Sequence, residues 1–178
     1  MRIRTYRSGD MPTLIHIQQQ AAKMDGLGNM DELDFQQLLA QPEMRTGYYA
    51  FLITDDDDEL NTWGQGETLE GVEGEVIGYT ILQLRKNQQA YHFHSYGAVL
   101  PEHRQRGAGH ALLLCALNHA RMKAIDIMAE ARQQGMPIYF EVLLPESDPT
   151  TARLVDMFEL EATDEPVPAG LRLYRTEL

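Results

Sequence analysis

A single cysteine, Cys115, stands in a chain of 178 residues, which excludes an intrachain disulfide and a cysteine cluster at zinc-site spacing. Long apolar runs are also missing. The longest in a helical stretch, Ala111 to Leu117, is far short of the roughly 20 residues that cross a bilayer. The opening MRIRTYRSGD has no apolar segment of the kind that directs secretion. A reducing, cytoplasmic setting without a membrane partner is the expectation. Positive charge is scarce as well: 15 Lys and Arg face 27 Asp and Glu, for a formal net charge of -12. Nine of those acids fall between Asp55 and Glu75, where there is no Lys or Arg, so the rest of the chain carries 15 basic against 18 acidic residues. A duplex nucleic acid needs a basic surface to displace its counterions, and the basic cluster here is short. Nucleic acid is therefore not the expected partner. With 43% apolar residues the chain can bury one sizeable core, and one domain spanning residues 1–178 is expected.

The elements alternate. Met1 to Arg7 reads as a strand, and Ser8-Gly9-Asp10 supplies cap chemistry for a helix from Met11 to Met24 with Leu14, Ile17 and Ala21 on one face. A second helix is expected from Asp31 to Gln41. Gly47 to Thr54, Val76 to Arg85 and Ala90 to Leu100 are rich in β-branched and aromatic residues and suit an antiparallel meander. A long helix then runs from Gly107 to Gln133, with Leu113, Leu117, Ala120, Ala124, Ile127 and Ala131 at a 3–4 spacing, and stops at Gly135. Pro137 to Leu144 is a strand, Asp148-Pro149 opens another helix, and Leu171 to Glu177 is a closing strand. The order gives an α/β domain with a mixed sheet, in which strands 90–100 and 137–144, joined through the long helix, run parallel.

The stretch RQRGAG, residues 104–109, lies at the strand-to-helix junction of that crossover. Unpaired amides and the positive end of the helix dipole meet there, a combination that binds anions. Gly107 and Gly109 remove side chains that would hold a phosphate away, and Arg104 and Arg106 offer charged donors. Neither GxxxxGK[ST] nor GxGxxG is spelled. What is spelled, Val99-x-Pro101-x-x-Arg104-x-x-Gly107-x-Gly109, closely resembles motif A of the GNAT superfamily of N-acetyltransferases. IRTYRSGDMPTLIHI likewise looks like that family's first strand and helix.

The resemblance implies a mixed, mostly antiparallel sheet of six to seven strands with helices on both faces. It also implies acetyl-CoA as cosubstrate and an amine on a small molecule or peptide as acceptor, with no metal required; a homodimer is the family's common state. Gly97, Ala98 and Val99 would pair through their backbone with the pantetheine arm. Gln105, Arg106, Gly107, Ala108, Gly109 and His110 would meet the pyrophosphate, with Arg104 beside them. The two parallel strands would splay to admit the thioester.

A base must then take the proton of the attacking amine. Glu141, in Tyr139-Phe140-Glu141-Val142, matches the strand glutamate of the ribosomal-protein acetyltransferase branch. His94 and His92 are its rivals, although, counted from Val99, the family's strand histidines fall on Phe93 and Ser95. Only a bulge would correct the face; otherwise the pair reads as an exposed or core-edge couple. The acid is the departure: Phe158 occupies the position of the family's helix tyrosine and has no hydroxyl, leaving Tyr96 and Tyr139 as weaker substitutes. Cys115 reads as a small buried hydrophobe, and Asp55 to Asp58 as a solvated hairpin loop lying near the phosphate loop. Asp25, Asp31, Glu32 and Asp34 flank the loop expected to line the acceptor site. An acyl-CoA-binding module without turnover, and an interaction domain whose acidic hairpin recruits a basic partner, are the alternatives.

Overall fold

The computed structural model describes residues 1–27, 49–55 and 74–178. The expected helix at 31–41, with Asp31, Glu32 and Asp34, the start of the strand at 47–48, and the acidic loop beyond Asp55 lie outside them. The described elements are β1 (Arg2–Thr5), α1 (Met11–Asp25), β2 (Ala50–Asp55), β3 (Glu75–Lys86), β4 (Tyr91–Val99), α2 (Ala108–Gln134), β5 (Ile138–Pro145), α3 (Thr151–Met157), β6 (Glu161–Ala162) and β7 (Leu171–Glu177). They form a seven-stranded sheet in the order β1-β2-β3-β4-β5-β7-β6. Every neighbouring pair is antiparallel except β4 and β5, which are parallel.

Alternation in the strands sends apolar side chains to both faces, so each face takes a helix. Leu14 and Ile17 of α1 pack on Leu52, Tyr79 and Ile81. The other face carries α2, whose Leu113, Ala116, Leu117, Ala120 and Ala124 meet Leu82, Phe93, Phe140 and Val142, with Leu154 and Val155 of α3 alongside. The stripe read from the sequence is the buried face of α2, with Ile127 half-buried at its edge. Cys115 lies on the flank of that face and is half-buried rather than buried; burial still pushes its thiol above the usual range. Gly135, at φ 65°, ends α2 in the left-handed conformation that glycine adopts freely.

Two local readings are corrected. The helix predicted to open at Asp148-Pro149 begins at Thr151, and Asp148 Oδ1 accepts hydrogen bonds from the Thr150 amide (2.8 Å) and hydroxyl (2.7 Å) in the turn that leads into it. The two-residue β6 was not anticipated, being too short to show a period.

Gly97 is glycine for a steric reason. A Cβ built there would lie 2.6 Å from the Tyr79 carbonyl oxygen on β3, a backbone atom that cannot swing away. Gly97→Ala should therefore cost about 1–3 kcal/mol as the strands are forced apart, measurable by urea unfolding. A loss below about 0.5 kcal/mol would show that the pair relaxes freely.

Candidate active site

Three features converge where β4 passes into α2. The first is the loop. Leu100 leads into a short 3-10 turn at Pro101–His103, and Gln105 (φ 61°) and Gly107 (φ 93°) both take positive φ before Ala108 begins the helix. The first intrahelical bond is Ala111 N–H to the Gly107 carbonyl at 3.0 Å, which leaves the amides of Ala108, Gly109 and His110 without a partner in the helix. A Cβ added at Gly107 or Gly109 would meet nothing within 4 Å, so neither glycine is packed against a neighbour. No acidic side chain occupies the first turn of α2. Arg106 is exposed and makes no ion pair among the described residues. Such an arrangement of amides at a helix start suits an anion.

Arg104 is placed differently from expectation. Its guanidinium grips Asp25 in a two-point pair, Nη1–Oδ1 2.6 Å and Nη2–Oδ2 2.9 Å, and Nε donates to the Val99 carbonyl at 3.2 Å. Asp25, expected at the acceptor side, thus ties the last turn of α1 to the loop, and Arg104 stiffens the cradle from behind. His103 Nδ1 lies 3.3 Å from Asp55 Oδ2, which puts the first residue of the acidic segment beside the cradle, as the strand order implied.

The second feature is a wedge. The β4–β5 ladder runs from Tyr91/Ile138 to Ser95/Val142 and stops. β4 goes on pairing with β3 as far as Val99, and β5 with β7 as far as Pro145. Between them, the β5-facing backbone edge of Tyr96, Gly97, Ala98 and Val99 has no strand partner among the described residues, the Val99 carbonyl being met by Arg104 Nε. An extended amide-bearing chain can add there as a strand does.

The third is a polar stripe at the closed end of the wedge. The β3–β4 register is continuous from Gly78/Val99 to Lys86/Tyr91, so no bulge exists, and Phe93 and Ser95 face the α2 core as 0% and 3% exposed side chains. His92, His94 and Tyr96 consequently share the opposite face, with ring centroids 5.8 and 6.2 Å apart. The histidines are half-buried rather than exposed. In the parallel ladder His94 sits opposite Glu141, and both imidazoles close on that carboxylate. His92 Nδ1 is hydrogen-bonded to Oε1 at 3.0 Å, and His94 Nδ1 lies 3.1 Å from Oε2. Glu141 is only 1% exposed, and its Oε2 makes no hydrogen bond of good geometry. Arg175 of β7, paired in register with Glu141, keeps its Nε 3.9 Å from Oε1, held back by an ion pair with Glu165 and by stacking on Tyr139 at 5.1 Å.

Burial, partly offset by the Glu141 charge, holds His94 below the ordinary imidazole value. Burial also raises the Tyr96 phenol, which favours its protonated, donating form. Phe158 is 8% exposed, its ring 5.3 Å from His110 at the start of α2, and it brings no proton to this region. Arg175 and Asp25 were not singled out for these positions from sequence. Each meets its partner only through tertiary pairing, and nothing local in the chain signals it.

A mixed sheet opened at one parallel pair, with an amide cradle at the following helix, defines an acyltransferase-type fold. The family model for the Acetyltransferase (GNAT) family matches residues 27–139, more than half of the chain, and the chain belongs to that family. Solved structures agree in fold. The ribosomal-protein-S18-alanine N-acetyltransferase from Escherichia coli is similar with TM-score 0.57 and 17% identity, over 99% of this chain and 92% of that one. The ribosomal-protein-alanine N-acetyltransferase from Brucella melitensis is similar with TM-score 0.58 and 15% identity, over 100% of both chains. yncA from Salmonella typhimurium, described with its cofactor acetyl-CoA, gives TM-score 0.59 and 15% identity over 99% and 93%. No curated protein matches the chain by sequence. Among the described residues, no helix is long and apolar enough to cross a membrane.

Proposed function

We propose that this chain transfers an acetyl group from acetyl-CoA to a primary amine. The observation that carries the reading is the alignment of the amide cradle, the unpaired β4 edge and the buried Glu141–histidine stripe along one opening. The amides of Gln105 to His110 and the Arg106 side chain would hold the pyrophosphate, and the edge at Gly97 to Val99 the pantetheine arm. The amine nitrogen attacks the thioester carbonyl carbon, the carbon–sulfur bond breaks, the nitrogen gives up a proton and the CoA sulfur gains one.

Glu141 is too enclosed to meet an amine directly. His94, with 22% of its side chain exposed against 1% for Glu141, is the more accessible of the two. In this reading His94 accepts the amine proton at Nε2, and Glu141 orients the ring through Nδ1 and stabilises the imidazolium. Tyr96, one step nearer the mouth on the same face, is the candidate donor to the departing thiolate. The hydroxyl-free Phe158 favours a second reading, an acyl-CoA-binding module without turnover.

Thiol release measured with acetyl-CoA and a panel of a polyamine, free amino acids, an amino-terminal peptide and a lysine peptide separates the two. Release that depends on one class of amine is the expected result. Acetyl-CoA binding with no release above the hydrolytic background for any amine would favour the module.

A further inference from the structure

The stripe that closes the wedge carries a second chemistry. His92, His94 and Glu141 each offer one ligand atom, and those atoms lie within 4.8 Å of one another; among the described residues this is the one such cluster. Two imidazoles and a carboxylate form the donor set that suits zinc and its first-row neighbours. Both imidazoles already stand against the carboxylate, His92 Nδ1 3.0 Å from Oε1 and His94 Nδ1 3.1 Å from Oε2, so a shared ion would draw the rings toward one of its oxygens.

Charge points the same way. Glu141 is a 1% exposed carboxylate with one oxygen lacking a hydrogen bond, and its nearest guanidinium stands off at 3.9 Å, claimed by Glu165. A buried carboxylate left this way is costly unless a cation compensates it.

We propose that His92, His94 and Glu141 bind one divalent transition-metal ion, zinc foremost, and that the ion inhibits rather than assists acetyl transfer. The metal would occupy both Glu141 and the ring it orients, so the loaded protein has no base at the wedge. The inhibitory part rests on the acetyl-transfer reading; the binding does not.

Titrating the full chain with Co²⁺ and recording its visible d–d absorption tests the binding. One ion per chain, displaced by Zn²⁺, is expected. Glu141→Gln, His92→Gln and His94→Gln should each weaken it by at least about 10-fold, since the loss of even an outer partner typically costs that much. Absence of the bands, or bands that survive all three substitutions, would overturn the proposal. Because a variant could fail to fold, ring ¹H–¹⁵N spectra of the unaltered protein provide a second readout. Zn²⁺ should move the signals of His92 and His94 and leave those of the other four of its six histidines in place; shifts confined to other histidines would refute the site. With binding established, thiol release that falls as Zn²⁺ occupies the site and returns with chelator supports inhibition. Release unaffected by a bound ion would overturn the inhibitory half and, with it, the placement of the base at this stripe.

Discussion

Glu141→Gln is expected to cut amine-dependent thiol release by about 100- to 10,000-fold, the range over which positioned proton transfer contributes to rate. Glutamine keeps the shape and can still meet one imidazole, but it cannot carry the charge that stabilises His94 as it takes a proton. The KM for acetyl-CoA should stay within a few-fold, since the cradle and the β4 edge are untouched. His94→Gln should fall by a similar factor, and the double variant little further, because two groups that act as one unit are not additive. Stability should move the other way. The native carboxylate is buried with an oxygen that makes no hydrogen bond, so its removal should leave the urea midpoint unchanged or raised. A Glu141→Gln enzyme with unreduced turnover would remove the carboxylate from the mechanism.

Gly109→Glu is expected to separate binding from folding just as clearly. Gly109 lies in the first turn of α2 with open space before it, so a side chain fits without collision. Replacing glycine within a helix and placing a carboxylate at its positive end should together raise the stability of the ligand-free protein by up to about 1 kcal/mol. The same carboxylate would fill the cradle and repel a pyrophosphate, and acetyl-CoA affinity should drop by roughly 100-fold, the loss of an anion site built from amides and a dipole. Isothermal titration and thermal unfolding on the same sample read both effects. Tight binding by Gly109→Glu would mean that the phosphates sit elsewhere.

Much of this fold is legible in the chain because its elements have clear periods and clear stops: the 3–4 spacing from Leu113 to Ala131 marks the buried face of α2, and Gly135 its end. The phosphate cradle is legible for a related reason, since an arginine- and glycine-rich junction between strand and helix has few other uses. The polar stripe is harder to read. Parity along β4 shows that His92, His94 and Tyr96 share a face, but not what that face meets, and the answer depends on the β4–β5 register that sets His94 opposite Glu141. Arg104 is a similar case. Its charge suggested a phosphate partner, whereas the nearest acid in space is Asp25, 79 positions away in sequence.

The central claim is that residues 104–110 and the free edge of β4 hold acetyl-CoA, and thermal unfolding with and without millimolar acetyl-CoA tests it most directly. A ligand present at about 100 times its Kd adds roughly 2.7 kcal/mol, which for a domain of this size is a rise of several degrees. That rise is expected for the unaltered protein, and its absence for Gly109→Glu. An unfolding midpoint that does not move with acetyl-CoA, in a protein otherwise folded, would contradict it and leave RQRGAG as a turn between a strand and a helix.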